Sequence, residues 1–391
     1  MIVESIFLTT TTRNGYDSVN FHWINGGRQS TADSLLNINE HSVKGMPAYP
    51  IIIARGKGEF LWDADGKQYI DFNVGFSACN QGHCHPKIVS VMMAQCRTLT
   101  MPSRSVSNAQ YQQFSRKLSQ VTGFDKMMEC NGGAEALDAA IKVARAWGRR
   151  VKGIEKDKAI AFTMSNVGPQ YASISVRFRA IEDLECTSIA RGHAGYLAPS
   201  DAYLVRVREL CDRYNILLIS DEVQAGLGRT GHLLSYQSAG IKLDVVVLGK
   251  SLSGGTYPIS AVLGRKEVMT SLEAGQEAKP RESQHYGSTF SGNPLASAIG
   301  LASLSLILDE PLPARAASLG AKFEARFRTF KSPCLDTITG KGLFRGIYLH
   351  EIHLLGHATV CPALIIDEVV MFQGIDILEQ ALNELPDIDA S

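Results

Sequence analysis

The chain has 391 residues, of which 45% are apolar and 20% charged. That composition excludes a disordered or fibrous chain, and the length can bury a sizeable core without disulfide staples. With 39 basic and 39 acidic residues the formal net charge is zero, which gives no support for a nucleic-acid partner. No apolar run reaches membrane-spanning length, so no membrane partner is expected either.

The first thirty residues are rich in Thr, Asn, Gly and Ser, and show neither a secretory signal nor an Arg-rich amphipathic helix. Residues 1–40 therefore read as a loosely ordered extension, and the cytoplasm is the default location, with the mitochondrial matrix left open. Residues 58–72 (GEFLWDADGKQYIDF) predict two strands joined by a turn at 63–66. The stretch Gly82-His83-Cys84-His85-Pro86 reads as a structural turn rather than a metal site, since no second ligand cluster accompanies it. Eight scattered cysteines without a CxxC pair fit a reduced compartment.

Apolar positions at Leu137, Ile141, Ala144 and Val151 predict a helix over 134–151, and 205–214 predicts another. The runs 216–220 and 244–248 are apolar without alternation, as strands buried on both faces are. Beyond Pro311 come a helix over 314–330, short strands, and a last helix near 374–382. This order predicts an α/β fold with a mainly parallel sheet. A large domain would span 91–305, and a small domain would form from both chain ends, 41–90 and 306–391.

Three features fall where such a sheet presents ligands, at or beyond the carboxyl ends of strands. Asp221 follows the run ILLIS, Lys250 follows VVVLG, and Asn131-Gly132-Gly133-Ala134 opens the first long helix. Singly each has a bland explanation: a cap, a solvated lysine, a turn. Together they match the needs of pyridoxal 5'-phosphate. Lys250 would supply an amine for the cofactor's aldehyde, with burial lowering its pKa. Asp221 would keep the pyridine nitrogen protonated, and the amides of Gly132 and Gly133 would cup the phosphate at a helix start.

The stretches NQGHCHPKI (80–88), SDEVQAGLGRTG (220–231), VVVLGKSLSGGTYPISAVL (245–263) and YGSTFSGNPLA (286–296) strongly resemble class III aminotransferases, nearest to their ornithine aminotransferase branch. The resemblance runs from about 55 to 382. It implies a fold-type-I homodimer that moves an amine from ornithine or a related amino donor to a 2-oxo acid such as 2-oxoglutarate by a ping-pong mechanism. It also implies roles for individual residues. Asp221 would partner the pyridine nitrogen, Val223 would pack on the ring, and Gln224 would lie near the phenolic oxygen. Lys250 would hold the cofactor and shuttle the proton, and Ser288 and Thr289 would reach the phosphate of the partner subunit.

The departures from that pattern gather around the substrate. Gly132 stands where relatives usually carry a hydroxyl. Gln170 replaces a carboxylate-binding arginine, His193 replaces a gating carboxylate, and the segment at 175–192 is shortened, as is that before Thr359. Thr359 takes the place of a second such arginine, while Phe76 and Met46 stand where pocket tyrosines would be, with Tyr49 able to substitute for the one at 46. The alternative reading is thus a degenerate paralogue with weak or no activity that keeps the dimeric scaffold.

Overall fold

Strands β6 (Ile219–Asp221) and β7 (Val245–Leu248) pair in parallel, Ile219 opposite Val245 and Asp221 opposite Val247. Both are buried along their whole length, and successive β7 residues feed different cores. Val245 and Val247 join Leu217, Ile219 and Val262 on one face, whereas Val246 and Leu248 join Leu218 and Leu263 on the other. A strand covered on both faces has no polar side to show, hence the unbroken apolar runs.

The computed structural model describes residues 7–9, 41, 50–103, 105–153, 196, 198–273, 288–349 and 357–384. Within them the sheet continues as β5 (Lys126–Cys130), β8 (Ser260–Gly264), β7, β6 in that order. Strand β8 runs antiparallel to both of its neighbours, so of the three described ladders in this sheet only β6–β7 is parallel. The apolar runs give strand existence but not direction, which is why a mainly parallel sheet was the expectation from them.

A long helix, Gly133–Arg150, lies across one face and buries Leu137, Ala140, Val143, Ala144 and Trp147 against the sheet. It begins and ends one residue before the predicted 134–151. The helix Asp201–Arg213 begins four residues ahead of the predicted 205, because the Ser200 hydroxyl accepts from the Tyr203 N–H at 3.2 Å and caps it. On the other face lies Pro294–Asp309, capped by Asn293, followed by Leu312–Phe327 in place of the predicted 314–330.

Two smaller sheets flank this unit. One has the order β1 (Phe7–Thr9), β4 (Gln68–Asp71), β3 (Phe60–Asp63), β2 (Ile53–Lys57), all antiparallel. Strand β1 falls inside the segment read as a loose extension: Phe7 pairs with Asp71 and Thr9 with Tyr69. The other sheet is β11 (His357–Val360), β10 (Phe344–Leu349), β9 (Leu335–Lys341). The last helix, Glu368–Asn383, starts six residues before the predicted 374, with the Asp367 carboxylate accepting from the Val369 N–H. Both ends of the chain meet through the backbone: Cys361 N–H donates to Phe72 C=O and Leu364 N–H to Asn80 C=O, each at 2.7 Å.

Candidate active site

Asp221 ends β6, and Lys250 follows β7 by two residues, so the parallel pairing of β6 with β7 sets both side chains at one edge of the sheet. The turn after Asp221 folds back on it: Asp221 Oδ1 accepts from the Val223 N–H at 3.0 Å. Val223 then reaches both other parts of the site. A Cβ added to Gly133 would lie 2.8 Å from Val223 Cγ1, and one added to Gly249 would lie 3.3 Å from it. The Ser260 hydroxyl holds the glycine turn from below, donating to Gly132 C=O at 2.8 Å. Thus Asp221, Gly133 and Gly249, the residue before Lys250, all meet Val223.

Lys250 is largely buried, and its backbone is strained, with φ at +46°. A non-glycine residue there costs on the order of 1–2 kcal/mol and persists only where the surroundings enforce it. Its amine is lowered from 10.5 to about 8, chiefly by burial and also by the nearby Arg229 guanidinium, against the opposing pull of Cys361 and Asp221. An amine at about 8 is neutral often enough to attack a carbonyl near neutral pH.

Phe76 faces this amine, with Lys250 Nζ 5.8 Å from its ring centroid. The ring is carried by an uncommon turn in which Val74, Gly75, Phe76 and Ser77 all have positive φ, between +42° and +68°. Asp71 anchors that turn, Oδ1 accepting from the N–H groups of Asn73 and Val74, both at 2.8 Å. Its Oδ2 pairs with His83 Nε2 at 2.7 Å. Burial alone would lower His83, but hydrogen bonds to Asp71 and Cys79 outweigh it and raise the imidazole to about 10. The Gly82–Pro86 stretch is accordingly a turn: His83 exchanges both backbone bonds with Gly58, and Pro86 opens the helix Pro86–Thr98.

Gln224 is buried and donates from Nε2 to the Tyr196 hydroxyl at 2.9 Å. Glu222, between Asp221 and Val223, points away: its carboxyl takes bonds from Ser235 N–H at 2.8 Å and Ser235 Oγ at 2.6 Å, and burial pushes its pKa up. Arg229 is fully buried and, among the described residues, hydrogen-bonds to no carboxylate. It donates to the carbonyls of Leu343 at 3.1 Å and Pro362 at 2.5 Å, and to Asn80 Oδ1, joining three segments behind the lysine.

Ser288 lies beside the same chain's Asn131–Gly133 turn, accepting from Asn131 Nδ2. Thr289 lines an adjoining cavity of about 180 Å³ with Tyr111, Glu129 and Ser291. Gln170, His193 and Met46 lie outside the described residues. Thr359 is on β11, paired with Gly346. Sequence reasoning missed Tyr196, Arg229, Cys361 and Glu129. Arg229 and Glu129 carried a signal, a charge set among apolar or glycine residues; Tyr196 and Cys361 carried none.

The donor set fits a pyridoxal phosphate: a buried amine of lowered pKa, a buried carboxylate on the neighbouring strand, and a glycine turn opening a helix, too tight against Val223 for a side chain at 133. The family model for class-III aminotransferases matches residues 42–181 and 187–379. The chain belongs to the class III aminotransferases, which are transaminases dependent on pyridoxal phosphate. Within that family it is ornithine-aminotransferase-like. It is 33% identical to an ornithine aminotransferase of Emericella nidulans, across 92% of each chain, and 37% identical to a mitochondrial ornithine aminotransferase of Arabidopsis thaliana, across 81% of this chain and 73% of that one. The crystal structure of an acetylornithine aminotransferase from Elizabethkingia anophelis superimposes with a TM-score of 0.81 at 30% identity, covering 91% of this chain and 99% of that one.

Proposed function

We propose that this chain transfers the amino group of ornithine or a related amino donor to a 2-oxo acid, 2-oxoglutarate being the leading acceptor, by a ping-pong cycle on pyridoxal phosphate. The observation that carries the reading is the convergence on Val223 of Asp221, Gly133 and Gly249, the residue before Lys250.

When bound, the cofactor supplies an aldehyde and a ring able to take up electron density from the donor's carbon. The protein's own groups do the rest. Lys250 Nζ would hold the cofactor through its aldehyde and, once displaced by the donor's amine, would be the base that moves the proton from the donor's carbon. Asp221 keeps the ring nitrogen protonated, Val223 packs on the ring, and Gln224 addresses the phenolic oxygen. The amides of Gly132 and Gly133, at the start of Gly133–Arg150, hold the phosphate. Phe76 walls the substrate side of the Lys250 amine. In the homodimer we propose, Ser288 and Thr289 complete the phosphate site of the partner subunit. The cytoplasm is the proposed location.

A weak or inactive paralogue is not favoured, because the residues that would serve the cofactor stand together. The experiment is a panel of amino donors offered to the cofactor-loaded protein, ornithine among them, followed by loss of its visible absorbance and recovery on adding a 2-oxo acid. Loss and recovery with an ω-amino donor supports the proposal; no response to any donor contradicts it and leaves the scaffold reading.

A further inference from the structure

Three polar contacts link Gln224 to Asn73. Gln224 Nε2 can only donate, and it donates to the Tyr196 hydroxyl at 2.9 Å. That hydroxyl lies 3.5 Å from Cys361 Sγ, and Cys361 Sγ in turn donates to Asn73 C=O at 3.1 Å, an atom that can only accept. The amide N–H goes to the phenol and the thiol S–H to the carbonyl, and the phenol between them meets both Cys361 Sγ and the Thr359 side chain.

The chain is buried throughout its middle. Tyr196 and Cys361 are both 0% exposed, and Gln224 is 4% exposed. The tyrosine ring is clamped face to face on Phe344 of β10, centroids 3.5 Å apart and planes 20° from parallel. Its backbone carbonyl also accepts from Thr339 Oγ1 of β9 at 3.0 Å. Burial and the neighbouring Cys361 hold the phenol well above its ordinary value of 10, so it stays a neutral hydroxyl. A buried polar chain of this kind is stable only when every member is satisfied, and it then fixes side-chain orientation.

Its two ends are both at the Lys250 site. Gln224 is three residues after Asp221, and Asn73 is the cap of the turn that carries Phe76, where its Oδ1 accepts from the Phe76 N–H at 2.7 Å. Cys361 lies near Lys250. We propose that Tyr196 is a positioning residue: through Gln224 on one side and Cys361 and Asn73 on the other, it aims the Gln224 amide at the phenolic oxygen of pyridoxal phosphate and ties that aim to the Phe76 turn. This inference rests on the cofactor reading above.

The test compares two ligands on one protein. The full-length protein, freed of cofactor, is titrated with pyridoxal phosphate and with its 3-deoxy analogue, which lacks the phenolic oxygen, following intrinsic fluorescence. Tyr196→Phe keeps the ring on Phe344 and removes the hydroxyl that accepts from Gln224, with its contacts to Cys361 and Thr359. It is expected to weaken pyridoxal phosphate about tenfold, the worth of one buried hydrogen bond, and the analogue by less than about twofold. Equal weakening of both ligands, or of neither, overturns the proposal. Cys361→Ala breaks the chain one link further on, and is expected to give the same selectivity at about threefold. If Tyr196→Phe does not fold, the Cys361→Ala result decides alone. Failure of the unmodified protein to bind either ligand would overturn the cofactor reading itself, a different outcome from unselective loss.

Discussion

Val223 lies against Gly133 so closely that no side chain fits at 133, the missing Cβ falling 2.8 Å from Cγ1 and 3.1 Å from Cγ2. The contact joins the turn that opens Gly133–Arg150 to the turn that leaves β6, and so sets the distance between the proposed phosphate cup and Asp221. Gly133→Ala therefore overpacks a buried spot next to a stiff, β-branched side chain, at a cost of about 1–3 kcal/mol. The expected result is a lower Tm together with weaker binding of pyridoxal phosphate.

Gly132 is the contrasting position. It has extended backbone, φ −113°, and an added Cβ meets nothing within 4 Å. Gly132→Ser is expected to change stability by less than about 0.5 kcal/mol and to tighten cofactor binding, because a hydroxyl joins the donors at the helix start. Weaker binding by Gly132→Ser in a titration would contradict the placement of the phosphate there.

Glu129 gives a pH signature. It is buried on β5, accepting from the Gly292 N–H at 3.2 Å and the Ser297 hydroxyl at 3.1 Å, and burial raises it to about 8 despite both bonds. A carboxyl raised in the folded state favours folding fully below its unfolded value near 4.5 and loses that contribution as pH rises through about 8. Between these limits its contribution falls by about 1.4 kcal/mol per pH unit. Glu129→Gln reproduces the protonated carboxyl, so the variant should match the wild type near pH 4.5 and exceed its stability by a few kcal/mol at pH 8.5. Parallel stability curves for the two proteins, measured by denaturant unfolding, would contradict this.

The lowered Lys250 amine sets a kinetic expectation. With the amine at about 8, the rate at which the apo protein captures pyridoxal phosphate should rise with pH and level off above about 8. A stopped-flow rate still climbing toward pH 10, as for an ordinary lysine, would contradict the burial argument.

Asp71 supports the Phe76 turn from outside the site. Asp71→Asn leaves the His83 imidazolium beside a neutral amide, and breaking such a largely buried pair costs about 3 kcal/mol. His83, raised to about 10, contributes most below its unfolded value of 6.5 and loses that contribution as pH rises through 10. The deficit of Asp71→Asn relative to wild type should therefore be larger at pH 6 than at pH 10, as thermal melts at the two values would show.

Much of this was legible before any coordinates. The helix at 133–150 follows from Leu137, Ile141 and Ala144 at helical spacing, and Asp221 and Lys250 stand out because each ends an apolar run at strand length. Other parts had no local signal. The direction of β8 depends on its partners rather than on SAVLG itself. The left-handed turn at 74–77 contains one glycine and three residues that seldom adopt that backbone, so tertiary context from Asp71 overrides propensity. The Tyr196–Phe344 stack joins residues 148 apart in sequence, and neither type marks the pairing.

The most direct test of the central claim is the visible absorbance of Lys250→Ala. Wild-type protein purified with pyridoxal phosphate should carry a visible band that survives dialysis and gel filtration. Lys250→Ala, with the same fold by far-ultraviolet circular dichroism, should lose it. A band of equal intensity in the variant would show that another group holds the cofactor, and would contradict the account built on Lys250.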